Sequence, residues 1–145
     1  MAKRKLVYGY NNRVYVKIED EYVPMLGVTT LNINPTMDTE SYYAAEDEGA
    51  ESIDFKGRKC EISITAKRYA TGACAVQDLF DDLAYEKDPE KLYQEVRIVR
   101  PNGKAIEGTA LIDVTNPGSG ATEASTNMEV TIKMSGNWNP SATVE

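Results

Sequence analysis

Apolar and polar residues alternate most clearly in the C-terminal third of the chain. A period of two residues is typical of a strand with one buried and one solvated face. The last such segment alternates Met128, Val130, Ile132 and Met134 with Glu129, Thr131 and Lys133. An earlier segment places Ile106, Ala110, Ile112 and Val114 on one phase and Glu107, Leu111 and Asp113 on the other. The breaker sequence Asn116-Pro117-Gly118-Ser119-Gly120 separates them, so we expect a long antiparallel hairpin joined by a flexible loop.

Similar alternation predicts further strands along the chain. Arg13 to Ile18 is one, and a second resumes at Tyr22 with a bulge expected near Thr29-Thr30. In the next strand, Cys60, Ile62, Ile64 and Ala66 are predicted to face inward, and Glu61, Ser63, Thr65 and Lys67 outward. A further strand is predicted from Tyr93 to Arg100. It leads into a hairpin turn at Pro101-Asn102-Gly103-Lys104, where Asn-Gly suits positive φ angles.

A helix is predicted over residues 73–85. Its apolar stripe holds Val76, Leu79, Phe80 and Leu83, and its polar face holds Gln77, Asp78, Asp81 and Asp82. One helix among mostly antiparallel strands predicts a mainly β fold, an antiparallel β-sandwich or flattened barrel with one flanking α-helix. We expect a single domain over residues 13–138.

Residues 36–56 look like a long acidic loop. Asn34-Pro35 is expected to end the preceding strand, and Lys56-Gly57-Arg58 to turn the chain into the next one. The segment contains seven acidic residues between Asp38 and Asp54 with no base among them, but without the ligand spacing of a calcium loop. Aromatic side chains are costly to leave on a free loop, so Tyr42, Tyr43 and Phe55 favour an interaction role; a solvated acidic loop is the alternative.

Composition excludes several classes of function. The net charge of −7, from 23 acidic and 16 basic residues, argues against a sequence-independent nucleic-acid binder. No apolar run is long enough for a membrane span, and the N-terminus lacks the apolar stretch of a signal peptide. The absence of histidine removes the Ser-His-Asp and Cys-His constellations, so we expect no enzyme, no cofactor and no metal site. Cys60 and Cys74 are expected to be reduced structural thiols.

Both ends of the chain are predicted to lie outside the domain. Residues 1–12 form an arm in which three bases, Lys3, Arg4 and Lys5, precede an apolar-aromatic patch around Tyr8. Such an arm is either frayed or ordered on a neighbouring subunit. Residues 139–145 are expected to be a flexible tail.

The C-terminal hairpin ends in Gly136-Asn137-Trp138-Asn139-Pro140 and follows a helix flanked by strands. Over residues 6–138, the chain resembles the major tail tube proteins of long-tailed, siphovirus-like bacteriophages in the order of its elements, its size and its residue pattern. The resemblance implies a structural virion protein that forms stacked, typically hexameric rings whose joined sheets enclose a channel for DNA ejection. It also implies that a long loop or hairpin at residues 36–56 reaches neighbouring subunits.

This resemblance assigns roles and partners. The implied partners are other copies of the chain, the tape-measure protein, the tail terminator, and baseplate or tail-tip proteins, with double-stranded DNA passing without specific binding and no membrane. The implied location is the virion tail, assembled in the bacterial host cytoplasm. The subunit-interface candidates are Lys3, Arg4, Lys5, Tyr8, Tyr42, Tyr43, Glu46, Asp47, Glu48 and Phe55. The lumen-facing candidates are Glu61, Ser63, Thr65, Glu129 and Thr131, although a polar face of this kind can also simply face solvent.

Three alternatives stay open at the level of sequence. A tube subunit of a phage-like bacteriocin or type VI secretion system would share the fold and differ in cargo. A monomeric β-sandwich carbohydrate-binding module would use exposed aromatic platforms, for which Trp138, Tyr42 and Tyr43 are thin support. A hydrolase using carboxylates alone comes last, because no acid pair is placed by more than proximity in the sequence.

We predict that the basic arm and the acidic segment 38–54 meet across ring boundaries. Replacing Lys3, Arg4 and Lys5 together by Ser should weaken ring stacking and flatten its salt dependence, because salt screens pairing between exposed charges. Light scattering of assemblies across a salt series measures both effects. Unchanged stacking with unchanged salt dependence would rule the pairing out.

Overall fold

The computed structural model describes residues 13–118 and 126–143, and this part of the chain contains seven strands and one α-helix. The strands are β1 (Arg13–Ile18), β2 (Glu21–Pro24), β3 (Val28–Tyr43), β4 (Glu51–Lys67), β5 (Tyr93–Val99), β6 (Lys104–Asn116) and β7 (Asn127–Thr143). The helix α1 (Ala75–Leu83) lies between β4 and β5, and short 3₁₀ turns occupy Ala45–Asp47 and Pro89–Leu92.

All seven strands join one antiparallel sheet in the order β2-β1-β5-β6-β7-β4-β3. The predicted mainly β, antiparallel fold with one flanking helix is therefore confirmed. The sheet is curled, because residues from β1, near one edge, and from β3, at the other, line the same groove. The C-terminal hairpin, the bulge at Val28–Thr30 and the turn at Gly103 (φ 86°) also lie where the sequence predicts them.

The core lies on the inner face of this curled sheet. The predicted inward phase of β4 is buried from Cys60 to Ala66, and each residue pairs with an inward residue of a neighbour, as Ile62 does with Ile132. Helix α1 covers this face with Val76, Phe80 and Leu83, all buried, while Leu79 packs against the cluster from its margin. Burying these side chains supplies the main driving force for folding, at roughly 1.5–3 kcal/mol for each large one.

The prediction of a loop at residues 36–56 is wrong. Strand β3 continues through Pro35 to Tyr43 and pairs along its length with β4, which begins at Glu51. Pro35 is tolerated because β3 is the edge strand of the sheet, where a missing N–H need not leave a ladder partner unsatisfied. The predicted turn at Lys56-Gly57-Arg58 is instead a bulge, since Asp38 pairs with Gly57 and Thr39 with Phe55, which leaves Lys56 as the extra residue.

The prediction of a flexible tail from residue 139 is also wrong. Strand β7 extends to Thr143, and Ala142 is buried opposite Ala105. The guanidinium Nη2 of Arg100 donates a hydrogen bond to the carbonyl of Pro140. Register shifts between β6 and β7 accommodate the extra residues of β7 around Trp138.

Close approach of two strands explains Gly108. A Cβ atom built on Gly108 would lie 2.8 Å from the Cβ of Trp138 and 2.9 Å from its Cα, too close for any non-glycine residue without movement of the backbone. The glycine therefore allows the bulged part of β7 to pack directly on β6.

Gln77 differs from its predicted position on the polar face of the helix. It is completely buried, and its side chain makes four hydrogen bonds. The Oε1 atom accepts from the amide of Tyr69 at 2.8 Å and from Nη1 of Arg68 at 3.3 Å. The Nε2 atom donates to the carbonyls of Leu26 at 2.9 Å and Lys67 at 2.7 Å. One side chain thus joins α1 to the β2–β3 link and to the end of β4.

We predict that Gln77→Ala destabilises the fold by about 3 kcal/mol, because buried carbonyl and amide groups lose their partners. The control Gln94→Ala removes one exposed hydrogen bond, from Nε2 of Gln94 to the carbonyl of Lys91, and should cost under about 1 kcal/mol. Urea unfolding followed by circular dichroism measures both free energies. Equal effects of the two variants would contradict a structural role for the Gln77 contacts.

Candidate functional site

A two-stranded ribbon extends beyond the seven-stranded part of the sheet. We define it as residues 36–43 of β3 and 51–58 of β4, with the tip at 44–50. These segments pair only with one another, because the ladder between β4 and β7 covers only Glu61–Lys67 and β3 is an edge strand. At the rise of a strand, eight residues extend about 26 Å. A two-stranded ribbon is marginally stable alone, so its packing partners matter.

The ribbon has one apolar face. Alternation along the paired strands puts Met37, Tyr43, Ile53 and Phe55 on one side, which continues the core face of the sheet past the point where the helix covers it. Their side chains are 48%, 72%, 65% and 62% exposed, respectively. The same face also holds Arg58, whose guanidinium lies 5.9 Å from the ring centroid of Phe55, and Glu51, which pairs with Tyr43 near the tip. Exposed apolar side chains grouped in this way typically mark an interaction surface.

The opposite face of the ribbon is acidic. Asp38, Glu40 and Asp54 share this face with Tyr42, which is 44% exposed. Nζ of Lys59 lies 3.6 Å from Oδ1 of Asp38, an exposed pair that contributes little stability. The ribbon is thus amphipathic, with a predominantly apolar side and a negatively charged side.

The predicted interface residues separate across this ribbon. Tyr43 and Phe55 lie on the apolar face and Tyr42 on the acidic one, while Glu46, Asp47 and Glu48 belong to the tip. Lys3, Arg4, Lys5 and Tyr8 lie outside the described residues. Sequence reasoning missed Met37 and Ile53, because treating 36–56 as a loop hid the period-two pattern in which both take part.

The predicted lumen residues lie together on a second surface, the outer face of β4 and β7. Ser63 pairs with Thr131 and Thr65 with Glu129, while Glu61 stands opposite Lys133. The hydroxyl side chains are half-buried and the two carboxylates exposed. We call this surface the strand face. It presents short polar groups side by side, as predicted.

Charges are matched where the strand face continues over β1, β5 and β6. Nζ of Lys17 lies 3.2 Å from a carboxylate oxygen of Glu95. Nε of Arg97 donates to Oε1 of Glu107, and its guanidinium lies 4.2 Å from the ring centroid of Tyr22. The hydrogen bond to Glu95, together with its negative charge, raises the pKa of Lys17.

A groove with one uncharged wall lies at the opposite end of β3 from the tip. Its volume is about 810 Å³. The segment Pro24–Leu31 forms one wall and the start of β1, from Arg13 to Tyr15, forms the other. The amide of Lys67 donates to the carbonyl of Gly27 at 2.8 Å, which ties this wall to β4.

Features of other chemistries are sparse in the part of the chain that the structure describes. Over residues 13–118 and 126–143, no three Cys, Asp or Glu side chains group so as to hold a metal ion. In the same ranges no helix has the length and apolarity to cross a bilayer. Cys60 and Cys74 are buried free thiols, and burial raises the pKa of Cys60.

Solved structures share this fold. The chain is similar to a protein in the virion of a native gene transfer agent particle, with 14% identity, a TM-score of 0.68, and coverage of 93% of this chain and 98% of that one. A chain in the tail of an empty gene transfer agent particle, solved with C6 symmetry, matches with the same identity, score and coverage. No protein-family model matches the sequence, and no curated protein does.

We predict that Glu95→Gln lowers the pKa of Lys17 toward its ordinary value of 10.5. Since the folded-state pKa is raised, the pair stabilises the fold fully below pH 10.5 and loses that contribution as the pH rises through the folded pKa. NMR titration of the lysine side chains between roughly pH 9 and 12 measures the shift. Glu61→Gln, on the same face, should leave Lys17 unchanged, and an equal response to both variants would refute the pairwise cause.

Proposed function

We propose that this chain is a structural tail protein that polymerises as stacked rings of six copies into a tube through which DNA passes. The observation that carries the proposal is the ribbon, whose predominantly apolar face stays largely exposed in the part of the chain that the structure describes. The match to a chain in a C6-symmetric gene transfer agent tail supports both the tail assignment and the ring number.

The ribbon suits head-to-tail assembly. Its apolar face projects about 26 Å from the sheet, far enough to reach another copy. Burying four large side chains at roughly 1.5–3 kcal/mol each contributes a driving force of the same order as the entropic cost of association. Ribbon and body are different surfaces, so the contact is heterologous, the type that forms rings and open filaments.

The strand face suits the wall of a conduit. In the proposed tube, Glu61, Ser63, Thr65, Glu129 and Thr131 face the lumen. The cations of Lys17 and Arg97, on the same side of the sheet, are already matched by carboxylates. Lys133 lies opposite Glu61 across the same face. A wall whose cations mostly lie beside carboxylates gives DNA phosphates little to bind, so that the genome slides.

The remaining roles follow from the tube. The basic arm, residues 1–12, supports contacts between rings, and the ends of the tube meet tape-measure, terminator and tail-tip proteins. The tube has no enzymatic step, and its assembly takes place in the host cytoplasm before it joins the virion.

Two other functions fit part of the fold and surfaces described above. A tube subunit of a bacteriocin or secretion machine would use the same surfaces with a different cargo, and a DNA-free particle would distinguish it. A carbohydrate-binding module would need an exposed aromatic platform. Trp138 instead packs against Gly108 and is half-buried, which makes that function less suitable.

We predict that the wild-type protein forms hollow tubes with sixfold end views in negative-stain electron microscopy. Ile53→Ser with Phe55→Ser should abolish the tubes and leave small particles, because the apolar ribbon face is lost. Tyr85→Ser removes an aromatic ring that is 75% exposed at the end of α1 and should still assemble.

Urea unfolding of the ribbon variant should match that of the wild type, which excludes misfolding as the cause. Small particles from the wild type at every concentration and salt, even after addition of tail-tip and tape-measure proteins, would overturn the tail function. Normal tubes from the ribbon variant would show that the ribbon does not drive assembly.

A further inference from the structure

We propose that the apolar face of the ribbon docks into the groove between β1 and β3 of the next copy. This inference rests on the proposed function and specifies the contact between successive copies in the assembly. The groove and the apolar side chains of the ribbon lie toward opposite ends of β3, so each docked copy still offers its own groove or ribbon to a further copy, as ring or filament formation requires.

The groove matches the ribbon in polarity. Its wall from Pro24 to Leu31 contains no charged residue, and Leu26 exposes 45% of its surface there. Phe55 and Ile53 remain 62% and 65% exposed on their own chain. A concavity with an uncharged wall and a predominantly apolar projection therefore occur on one chain.

Backbone chemistry strengthens the match. Strand β3 pairs with β4 on one side only, so in the described chain the other edge of Val28–Leu31 carries N–H and C=O groups outside any ladder. Folded proteins normally cover such an edge. A ribbon strand entering the groove can add hydrogen bonds along this edge while its side chains fill the concavity.

Charge steers the same pairing. Residues 36–55 carry seven acidic groups and no base, whereas Arg13 lines the groove and Lys67 adjoins its wall at Gly27. The ribbon can thus place its apolar face on the groove and its acidic face toward the basic rim.

Disulfide trapping tests this contact. The double variant Ile53→Cys with Thr30→Cys places one thiol on the ribbon and one in the groove. Mild oxidation of assembled tubes should give a ladder of covalent multimers on non-reducing gels. A mixture of the two single variants should stop at covalent dimers, because each copy then carries one engineered thiol. The native Cys60 and Cys74 are buried in every sample.

The matched control moves the second thiol off the groove. Ile53→Cys with Tyr85→Cys has equally exposed engineered thiols and should give no ladder. Tubes that form without a ladder from the ribbon–groove pair would overturn the docking inference and leave the tail function standing. Failure of the wild type to assemble would overturn both. Trapping of Tyr8→Cys with Thr30→Cys, in place of the ribbon pair, would identify the N-terminal arm as the occupant and also refute the inference.

Discussion

Backbone pairing between β3 and β4 is the interaction on which the rest of the structure depends. The two strands pair from Val28 with Ala66 to Tyr43 with Glu51, so their ladder runs from the core of the sheet into the exposed ribbon. Near Lys67 it is fixed in the core by β7, and near the tip it stands alone. The half that is packed in the core anchors the exposed half, because pairing resumes on the far side of the Lys56 bulge and continues to the tip.

The bulge has a functional consequence. An extra residue in one strand reverses the alternation of that strand relative to its earlier phase. In β4 the inward residues are even-numbered from Cys60 onward, yet Ile53 and Phe55 are odd-numbered and share the core side of the ladder. Without Lys56 as the extra residue, these two side chains would join the acidic face, and the ribbon would lose its amphipathic character.

The strands of the body were predictable because one face is buried and the alternation is strong. The inward phase of β4 and the C-terminal hairpin are examples. The ribbon was not predictable as strand, since Asn34-Pro35 and Lys56-Gly57 imitate chain breaks. Pro35 is tolerated because β3 is an edge strand, and Gly57 lies beside a bulge rather than in a turn. Both conditions depend on how neighbouring strands pair, which the local sequence does not reveal. The predicted exposure of Gln77 was wrong for a related reason. Its polar side chain is buried only because three backbone groups, distant in sequence, bind to it.

The location of charge completes the physical argument. The acidic surplus is concentrated on the ribbon, which has seven acidic residues and no base between Asp38 and Asp54, whereas Glu95 and Glu107 match Lys17 and Arg97 where the strand face continues. A lumen lined by the strand face would combine these matched pairs with the carboxylates of Glu61 and Glu129, so it would offer DNA phosphates few cations to bind. The unmatched acids remain on the element that we propose contacts other copies, where repulsion between free ribbons would disfavour ribbon-to-ribbon association. In the proposed tube, the strand face therefore serves the passage of DNA and the ribbon serves the contacts between copies.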